Sequence, residues 1–322
     1  MRILITGGGG FLGQKLARAL GARGQLRGAD ISALVLADLA PPARPNLPLN
    51  VETLACDISD AAAVASLMAR PFDVVFHLAA IVSGQAEADF DLGLQVNLFG
   101  TLNLLQAARA AGNCPVVVYA SSIAAHGGEE PEVIVDGVEL NPQTSYGTQK
   151  VMGELLLNDM SRRGMVDGRG LRLPTVSIRP GKANAAASSF MSSIFRDTMQ
   201  GEASNCPVAK DYPIYHTAPR TVIANLIHAA ELDGTTFGPN RCINLPGRSD
   251  TVAEMIAAMT LVAGSEPAAR ITWNAGPVIQ KIVKGWRGHV VPDKAVRLGF
   301  KQDQSFADTV RWFLADDIVK PT

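Results

Sequence analysis

The first part of the chain alternates between short runs that are apolar throughout and longer stretches in which apolar residues recur every three or four positions. The runs "RILIT", "ALVLAD", "DVVFHLA" and "PVVVYAS" have the composition of strands that are buried on both faces of a sheet. The stretches Phe11 to Ala22, Ala61 to Met68 and Leu92 to Ala111 have helical periodicity. Strands and helices in alternation indicate βαβ units, so the pattern predicts an α/β fold with a doubly wound parallel sheet.

The pattern changes in the second half of the 322-residue chain. "TVSIRPG" reads as a sixth strand that ends at Arg179, and the segment from Asn184 to Pro207 is rich in Ala, Ser and Met. Strands become short after this point. We therefore predict a sheet domain over residues 1–180 and a smaller, mainly substrate-binding lobe over residues 181–322, some segments of which return to the first domain.

Composition narrows the class of protein. The net charge is −1 and 18% of the residues are charged, which leaves no basic surplus for nucleic acid, and no apolar run reaches the length of a membrane span. The chain starts with a strand and a glycine loop rather than a signal segment. The four cysteines lack CxxC spacing and the histidines do not pair at ligand spacing. We expect reduced thiols, no structural metal and a cytoplasmic protein that binds neither nucleic acid nor membranes.

A run of glycines occupies the connection between the first strand and the first helix, in "ITGGGGFLG". Glycine loses the most backbone entropy on folding, so such a cluster needs a reason. Both Gly8-x-Gly10-x-x-Gly13 and Gly7-x-x-Gly10-x-x-Gly13 fit the dinucleotide fingerprint. In that fingerprint one glycine makes the tight turn, another admits a pyrophosphate to the helix N-terminus, and Gly13 lets the helix pack closely on the strand.

The second strand ends in an acidic residue, Asp38. A carboxylate at this point accepts hydrogen bonds from both ribose hydroxyls of adenosine and repels a 2′-phosphate. Leu39 follows it, where an NADP-dependent enzyme would more often carry a basic residue. The alternative for Asp38 is a solvated charge at a strand end. Together with the glycine loop, Asp38 predicts that the cofactor is NAD rather than NADP.

A tyrosine and a lysine stand four residues apart, as Tyr146 and Lys150 in "TSYGTQKVMGE", and would share one face of a helix that begins after "NPQTS". A free tyrosine, with a pKa of about 10, is a poor base at neutral pH, but a nearby ammonium lowers that pKa. A bound nicotinamide cation would act in the same direction. The pair therefore predicts a general base for an alcohol proton, the alternative being an amphipathic helix with a solvated lysine.

A serine would complete this site. Ser122 ends the strand "VVVYASS", at the sheet edge where doubly wound proteins bind their ligands. Its hydroxyl could hold the substrate oxygen while hydride leaves the carbon, and Ser121 is the neighbouring alternative. Glycine loop, serine and tyrosine–lysine pair in this order predict a dehydrogenase. A non-catalytic NAD-binding scaffold is a poorer interpretation, because a scaffold has no need of these side chains.

The segments "TGGGGFLG", "HLAA", "VNLFGT", "YASS" and "YGTQK" resemble the extended short-chain dehydrogenase/reductase family, which has a Rossmann fold and includes NAD-dependent epimerases and dehydratases. The resemblance implies Ser122, Tyr146 and Lys150 as catalytic residues, with Lys150 also bonded to the nicotinamide ribose. It implies a homodimer built on the helices that carry Asn97 and Tyr146. We interpret His77, by contrast, as a packed strand-end residue rather than a base. The predicted cofactor-binding residues are Gly7, Gly10, Phe11, Leu12, Gly13, Asp38, Asp57, Ile58, Leu78, Ala79, Ala80, Asn97, Tyr146 and Lys150.

The segment after the sixth predicted strand bears on the substrate. Sugar-nucleotide members of the family usually continue with an Asn-x-Tyr-Gly-Pro type segment, whereas this chain reads "SIRPGKANAAASSFMSSIF". That segment and "IVSGQAEADFDLG" resemble a subfamily that oxidises the 2-hydroxyl of a four-carbon sugar acid. The alternative is a sugar-nucleotide epimerase or dehydratase, which recycles its NAD and releases no NADH.

A sugar acid needs a cation for its carboxylate and polar partners for its hydroxyls. Arg196 or Arg220 could supply a forked pair of N–H groups, although arginines in loops usually face water. The predicted substrate-binding residues are Ser83, Ser122, Tyr146, Asn184, Ser188, Arg196 and Arg220.

Overall fold

The computed structural model describes residues 1–181, 187–276, 279–280, 283 and 285–318. The chain divides into two compact units. Unit 1 comprises Met1–Ala125, Thr144–Arg172 and Ile223–Ile243, and unit 2 comprises His126–Gln143, Leu173–Val222 and Asn244–Thr322. Each unit has its own cluster of buried apolar side chains.

The described residues form short strands and helices in alternation. The strands are β1 (Arg2–Thr6), β2 (Gln25–Leu26), β3 (Ala29–Asp30), β4 (Ala33–Asp38), β5 (Val51–Ala55), β6 (Val74–His77), β7 (Val116–Ser122), β8 (Val133–Val135), β9 (Asp167–Leu173), β10 (Thr175–Val176), β11 (Ser204–Asn205), β12 (Pro213–Thr217), β13 (Cys242–Asn244), β14 (Arg248–Thr251), β15 (Ile271–Thr272) and β16 (His289–Val291). The α-helices are α1 (Phe11–Arg23), α2 (Ala61–Met68), α3 (Ser83–Ala88), α4 (Phe90–Gly93), α5 (Gly100–Ala111), α6 (Ser145–Arg162), α7 (Phe190–Met199), α8 (Pro219–Glu231), α9 (Val252–Ala263), α10 (Glu266–Ala269), α11 (Asp293–Arg297) and α12 (Phe306–Asp316). A π-helix spans Leu94–Phe99, and 3₁₀ turns span Ile123–Ala125, Ala187–Ser189 and Gly234–Phe237.

The central sheet of unit 1 has seven strands among the described residues, in the order β13-β9-β7-β6-β1-β4-β5. The pairs β5–β4, β4–β1, β1–β6 and β6–β7 are parallel. From β1 the chain builds outward through β4 and β5, and then returns to β6 on the other side of β1. Sheets of this kind bind ligands outside the carboxyl ends of the strands where the order reverses. The predicted doubly wound α/β fold is confirmed.

The apolar runs of the first 122 residues coincide with β1, β4, β6 and β7, whose residues are almost all buried. The helices predicted to begin at Phe11 and Ala61 are α1 and α2. The single helix predicted from Leu92 to Ala111 is composite, because the π-helix Leu94–Phe99 precedes α5. Inserted π turns are frequent at functional sites.

The prediction of a sixth strand in "TVSIRPG" is wrong. Of this segment only Thr175–Val176 is a strand, and it pairs with β12 in a separate three-stranded sheet. The strand in the central sheet is instead β9, "DGRGLRL". Its charged residues and glycines do not form the apolar run by which the other strands were predicted. Arg169 is fully buried there, and it bonds to the Asp167 carboxylate at 2.8 Å and the Leu232 carbonyl at 2.7 Å, which compensates its charge.

Unit 2 combines small sheets with helices. Its sheets are β10-β12-β14, β11-β15 and β16-β8 within the described ranges. Helices α7, α9 and α12 contribute Ile194, Met255 and Phe313 to its buried core. A capping box defines the start of α9, because the Thr251 hydroxyl accepts from the Glu254 amide while the Glu254 carboxylate accepts from the Thr251 amide.

Candidate active site

The glycine loop between β1 and α1 is tightly packed on the side that faces the sheet. Gly7 has φ of +71°, and a Cβ there would lie 2.8 Å from the backbone nitrogen of Ala79. A Cβ on Gly8 would lie 2.8 Å from the Cβ of Leu36, and one on Gly13 would collide with the Gly7 carbonyl oxygen. These contacts explain why the turn and the start of α1 require glycine.

The other side of the same loop is open. Gly9 and Gly10 are exposed, and a Cβ on Gly10 would meet only the Gly7 carbonyl oxygen, at 3.2 Å. Gly10 caps α1 without a side chain, and the first turn of α1 contains no acidic residue. The free N–H groups of this helix end therefore have the surroundings that a pyrophosphate needs.

An acidic residue is fixed beside the loop. The Asp38 carboxylate accepts hydrogen bonds from the amide of Gly9 at 2.9 Å and from its neighbour Leu39 at 2.8 Å. These bonds orient the carboxylate at the carboxyl end of β4, where the hydroxyls of an adenosine ribose would reach it.

The next two strands end beside the same edge. After β5, the Asp57 carboxylate accepts from the amide and hydroxyl of Ser59, and Ile58 is buried against Gly100. After β6, Leu78, Ala79 and Ala80 are partly buried, and the backbone of Leu78 and Ala79 lies beside Gly7 of the glycine loop. The structure thus brings together, around the carboxyl ends of β1, β4, β5 and β6, these members of the predicted cofactor set: Gly7, Gly10, Gly13, Asp38, Asp57, Ile58, Leu78 and Ala79.

Helix α6 carries the predicted tyrosine and lysine. It begins at Ser145, because the Thr144 hydroxyl accepts from the Gly147 amide at 3.1 Å. Lys150 is 2% exposed, and its ammonium donates to the Ala120 carbonyl at 2.9 Å. The Nζ atom lies 5.6 Å from the ring centre of Tyr146, which is partly buried.

Burial and charge act on Lys150 in opposite directions. Burial lowers its pKa to about 8, and the negative charge of Glu154, one helical turn further on, opposes that change. The side chain therefore keeps its positive charge at neutral pH. An ammonium this close to Tyr146 is what the predicted base requires.

The two candidate serines at the end of β7 have different surroundings. Ser121 is 2% exposed and its hydroxyl donates to the Glu154 carboxylate at 2.5 Å. Ser122 is only partly buried, and its hydroxyl oxygen accepts from the Ala124 amide at 3.1 Å. Ser122 is therefore the serine that can reach a substrate.

The polar residues under this edge are bonded to one another. His77 is 1% exposed, with Nδ1 2.7 Å from the Thr6 hydroxyl and Nε2 2.9 Å from the Thr101 hydroxyl. Burial, with the charge of Lys150, lowers the pKa of His77 to about 3, so that its ring is neutral. These contacts agree with a packed residue rather than a base.

Asn97 is held within the protein. It lies in the π-helix, its Oδ1 accepts from the Ile81 amide at 3.0 Å, and its Nδ2 donates to the Gln149 side chain at 2.8 Å. It therefore ties the chain after β6 to α6. Gln149, like Glu154, is a buried polar residue of α6 that the sequence reasoning missed, although the spacing of Glu154 from Lys150 would have placed the two on one helical face.

The predicted substrate residues are distributed over both units. In unit 1, Ser83 is the first residue of α3 and is partly buried. In unit 2, the Ser188 hydroxyl accepts from the Arg179 guanidinium at 3.3 Å. Asn184 lies outside the described residues.

Both arginines that were considered for a substrate carboxylate already bond to an aspartate. Arg196 is 3% exposed and donates from Nε to Asp197 at 2.7 Å. Arg220 donates from Nε and Nη2 to the two oxygens of Asp316, at 2.8 and 2.5 Å. These pairs weaken the case for either side chain as the carboxylate anchor.

Two general features of the described ranges bear on the kind of protein. No helix there is long and apolar enough to cross a membrane. In the same part of the chain, no cluster of three or more His, Cys, Asp or Glu side chains is placed to hold a metal ion. No disulfide joins the four cysteines, all of which lie in the described part of the chain, and Cys114 is exposed.

An open glycine turn at a helix start, an acid at the end of the next strand and a serine, tyrosine and lysine at the same sheet edge are the features of a Rossmann-fold enzyme that uses a dinucleotide. Comparison with known proteins narrows this class. Residues 3–229 match the NAD dependent epimerase/dehydratase family. The chain belongs to this family, whose cofactor is NAD, and the open face at Gly10 and the oriented Asp38 carboxylate fit that cofactor.

Individual relatives cover nearly the whole chain. It is 47% identical over 320 residues to D-erythronate dehydrogenase of Cupriavidus necator, covering 98% of both chains. It is 41% identical over 318 residues to D-erythronate dehydrogenase of Haemophilus influenzae, covering 99% of this chain and 100% of the relative. A solved structure of the nucleoside-diphosphate-sugar epimerase from Agrobacterium tumefaciens superposes with a TM-score of 0.94 at 41% identity, covering 98% of this chain and 94% of that one.

The position of Asp38 generates a prediction about cofactor choice. Asp38→Ser should lower the ratio of kcat/KM for NAD to that for NADP by about 10- to 100-fold, since it removes charged hydrogen bonds to the ribose and the repulsion of a 2′-phosphate. Steady-state kinetics with both cofactors measures the ratio. Asp60→Ser, which keeps a capping oxygen at the start of α2, should leave it unchanged. Equal use of NAD and NADP by the parent protein would contradict the role of Asp38.

Proposed function

We propose that the protein is a D-erythronate dehydrogenase, which oxidises the 2-hydroxyl of D-erythronate to give 2-dehydro-D-erythronate and NADH. The observation that carries the proposal is the 47% and 41% identity, over nearly the whole chain, to two D-erythronate dehydrogenases. The serine, tyrosine and lysine at the carboxyl edge of the sheet support an alcohol oxidation. The four cysteines, all within the described residues, are not joined in disulfides, which supports a cytoplasmic enzyme, because reduced thiols persist in that compartment.

In the proposed reaction, Tyr146 removes the proton of the 2-hydroxyl while the hydrogen on the same carbon leaves as hydride. Bound NAD supplies the acceptor for that hydride. The Ser122 hydroxyl holds the reacting oxygen, so that the developing carbonyl keeps a hydrogen bond. The proton then passes from Tyr146 to solvent, which restores the phenolate for the next turnover.

Lys150 makes Tyr146 a usable base. Its ammonium is fixed by the Ala120 carbonyl at 2.9 Å and lies 5.6 Å from the Tyr146 ring centre. A positive charge at this distance in a buried site favours the phenolate over the phenol. Since burial brings the pKa of Lys150 down to about 8, this support is present at neutral pH and is lost as the pH rises through that value.

The carboxylate of the substrate needs a cationic partner. Arg196 and Arg220 remain candidates, although each would have to share or release an aspartate. We add Arg179 as a third candidate, because its guanidinium lies 3.3 Å from the hydroxyl of Ser188, and this pairing places a forked cation beside a hydroxyl that was itself predicted to bind substrate.

A sugar-nucleotide epimerase is the second candidate function. It is favoured by the solved epimerase from Agrobacterium tumefaciens, which is 41% identical and superposes with a TM-score of 0.94. Both candidate reactions use the same base and the same cofactor. They differ in the fate of the hydride, which an epimerase returns to its substrate, so that NADH does not accumulate.

A substrate panel separates these functions. With NAD and D-erythronate, absorbance of NADH should rise steadily, whereas L-threonate, L-threonine, UDP-glucose and the neutral polyol erythritol should give much lower rates. Conversion of UDP-glucose to UDP-galactose without accumulation of NADH would support the epimerase instead. Failure of every sugar acid to reduce NAD would contradict the proposed function.

The same assay identifies the carboxylate anchor. Replacement of the anchoring residue among Arg179, Arg196 and Arg220 by Met should raise KM for D-erythronate by about 10- to 100-fold, the worth of a charged hydrogen bond, with KM for NAD unchanged. Arg248→Met is the matched control, because Arg248 also pairs with an aspartate, Asp250, through Nε and Nη2. Parent kinetics in all three variants would exclude an arginine from this set.

Tyr146→Phe tests the base. It removes the ionisable oxygen but keeps the ring, so that turnover should fall by about 10²- to 10⁴-fold while the midpoint of thermal unfolding and the Kd for NAD change little. Tyr212→Phe is the control, since it removes a phenol that donates to the Val283 carbonyl at 2.7 Å. Near-parent turnover in Tyr146→Phe would assign the base to another group.

The pH profile tests the partnership of Tyr146 and Lys150. The phenolate is the reactive form, so kcat/KM for oxidation should rise with pH through an inflection below the value of about 10 for free tyrosine. Lys150→Met should move this inflection upward, because the phenol loses the ammonium that lowers its pKa. The two groups are close, so the inflection belongs to the pair. An unmoved inflection in Lys150→Met would contradict the partnership.

We also propose that the protein forms a homodimer through the helices around Asn97 and Tyr146. Large apolar side chains are exposed on this part of unit 1, with Phe99 38% and Leu155 62% exposed. Leu155→Arg should yield a monomer in light scattering coupled to size exclusion, because a buried charge opposes association. Leu261→Arg, at a residue 76% exposed on α9, should remain dimeric. A monomeric parent protein would contradict this arrangement.

A further inference from the structure

A buried ion pair lies directly behind the predicted catalytic residues. The side chains of Glu154 and Arg172 are 2% and 9% exposed. The Arg172 Nε atom donates to both oxygens of the Glu154 carboxylate, at 3.0 and 3.1 Å, and Nη2 donates to one of them at 2.6 Å. The Glu154 oxygen nearest Ser121 also accepts its hydroxyl at 2.5 Å. One carboxylate thus joins α6 to β7 and β9.

The contacts of Glu154 occur next to those of Lys150 on the same two elements. Glu154 follows Lys150 by four residues on α6, and so the two side chains leave the helix on one face. Lys150 bonds to the backbone of Ala120, and Glu154 bonds to the side chain of Ser121. Helix and strand are therefore fastened at successive residues of β7, immediately before Ser122.

This fastening sets the direction of Ser122. Side chains alternate along a strand, so holding Ser121 toward α6 fixes the rotation of β7 and with it the direction in which Ser122 leaves the end of the strand. A one-residue slip of β7 against α6 would reverse these directions. Two contacts that both depend on the rotation of β7 make such a slip costly.

Stability alone does not explain an ion pair in this position. Desolvation of two charges often exceeds their attraction, and apolar residues of similar volume are frequently as stable or more stable. The carboxylate nevertheless has a task here, since its negative charge helps to keep the adjacent buried ammonium protonated.

We propose that the Glu154–Arg172 ion pair is a positioning element that fixes Ser122 on β7 and Lys150 on α6 for catalysis. Glu154 and Arg172 touch neither the substrate nor the cofactor in this proposal; they act through Ser121 and Lys150. The inference rests on the proposed function to the extent that Ser122, Tyr146 and Lys150 carry out the reaction.

Several ionisable groups surround Lys150 and bear on any pH profile. They are Tyr146 and Glu154 on α6, His77 on β6, Tyr119 on β7, Arg172 on β9 and Cys242 on β13. Burial, together with the charge of Lys150, lowers the pKa of His77 to about 3, and burial raises that of Tyr119, so both stay neutral near pH 7. The Glu154 carboxylate is thus the negative charge that acts on Lys150 from this set.

The test replaces the pair as a unit. Single removal of Arg172 leaves a buried carboxylate without its cation and could prevent folding, whereas the double variant Glu154→Leu/Arg172→Met fills similar volume without charge. This double variant should keep the unfolding midpoint and the Kd for NAD close to those of the parent. Its kcat should fall by about one to two orders of magnitude, the effect of misplaced catalytic groups. The inflection of kcat/KM should also move to higher pH.

Two further variants separate contact from charge and from folding. Glu154→Gln keeps an oxygen that accepts from Ser121 but loses the charge, so it should move the inflection upward and lower kcat less than the double variant does. Ser161→Ala removes another buried link from α6 to β9, since that hydroxyl accepts from the Gly168 amide at 3.0 Å. It should lower the unfolding midpoint and leave kcat and the pH profile unchanged.

Parent kcat and an unmoved inflection in the double variant would overturn the proposal, as would activity lost only in proportion to the unfolded fraction. Tyr146→Phe, measured alongside, distinguishes this failure from failure of the proposed function. If Tyr146→Phe is inactive and the double variant is fully active, the ion pair is merely structural. If Tyr146→Phe is fully active, the catalytic assignment itself is wrong.

Discussion

Burial of the Lys150 ammonium is the constraint on which the rest of this site depends. A cation that is 2% exposed has lost most of its hydration, and the protein must replace it. The Ala120 carbonyl supplies a hydrogen bond at 2.9 Å, and the Tyr119 ring lies 4.9 Å from Nζ. The remaining compensation is the charge of Glu154, a carboxylate that itself needs Arg172 because it is equally buried. One functional charge therefore accounts for a series of polar residues through the interior of unit 1.

The cofactor side of the same sheet edge obeys a steric constraint instead. The backbone of the loop packs closely against Ala79 at Gly7 and against Leu36 at Gly8. At Gly13 it packs against the carbonyl of Gly7. This close packing turns the start of α1 toward solvent at Gly10, where no side chain intervenes. The catalytic side is thus built from compensated charges and the cofactor side from absent side chains, and both lie at the carboxyl ends of parallel strands.

The sequence could predict those parts of the fold and site that local patterns encode. The glycine loop, the apolar residues of β1 and the spacing of Tyr146 from Lys150 each lie within a few residues. Hydrophobic periodicity and steric reasoning were therefore sufficient to predict them. Contacts between distant residues were not accessible in the same way. Glu154 and Arg172 are 18 residues apart in the sequence, and His77 and Thr6 are 71 residues apart. No local sequence pattern indicates that either pair is in contact. Strand β9 was missed in part for the same reason, because one partner that makes Arg169 tolerable in a buried strand is the carbonyl of the distant Leu232.

Ser122, Tyr146 and Lys150 do not decide between a dehydrogenase and an epimerase. The difference between the two reactions depends on how the cofactor and the substrate are held. Both reactions need a base for a hydroxyl, a hydrogen-bond donor on its oxygen and an acceptor for hydride, so the roles proposed for Ser122, Tyr146 and Lys150 fit either one equally well. A dehydrogenase must in addition release NADH, whereas an epimerase must retain it and let the oxidised substrate present its other face. A small sugar acid offers few groups for retention and would depend on its carboxylate for orientation. A cation that orients the carboxylate of a small substrate would therefore favour oxidation with release, and Arg179, whose guanidinium meets the Ser188 hydroxyl, lies in the part of the sequence that departs from the sugar-nucleotide pattern.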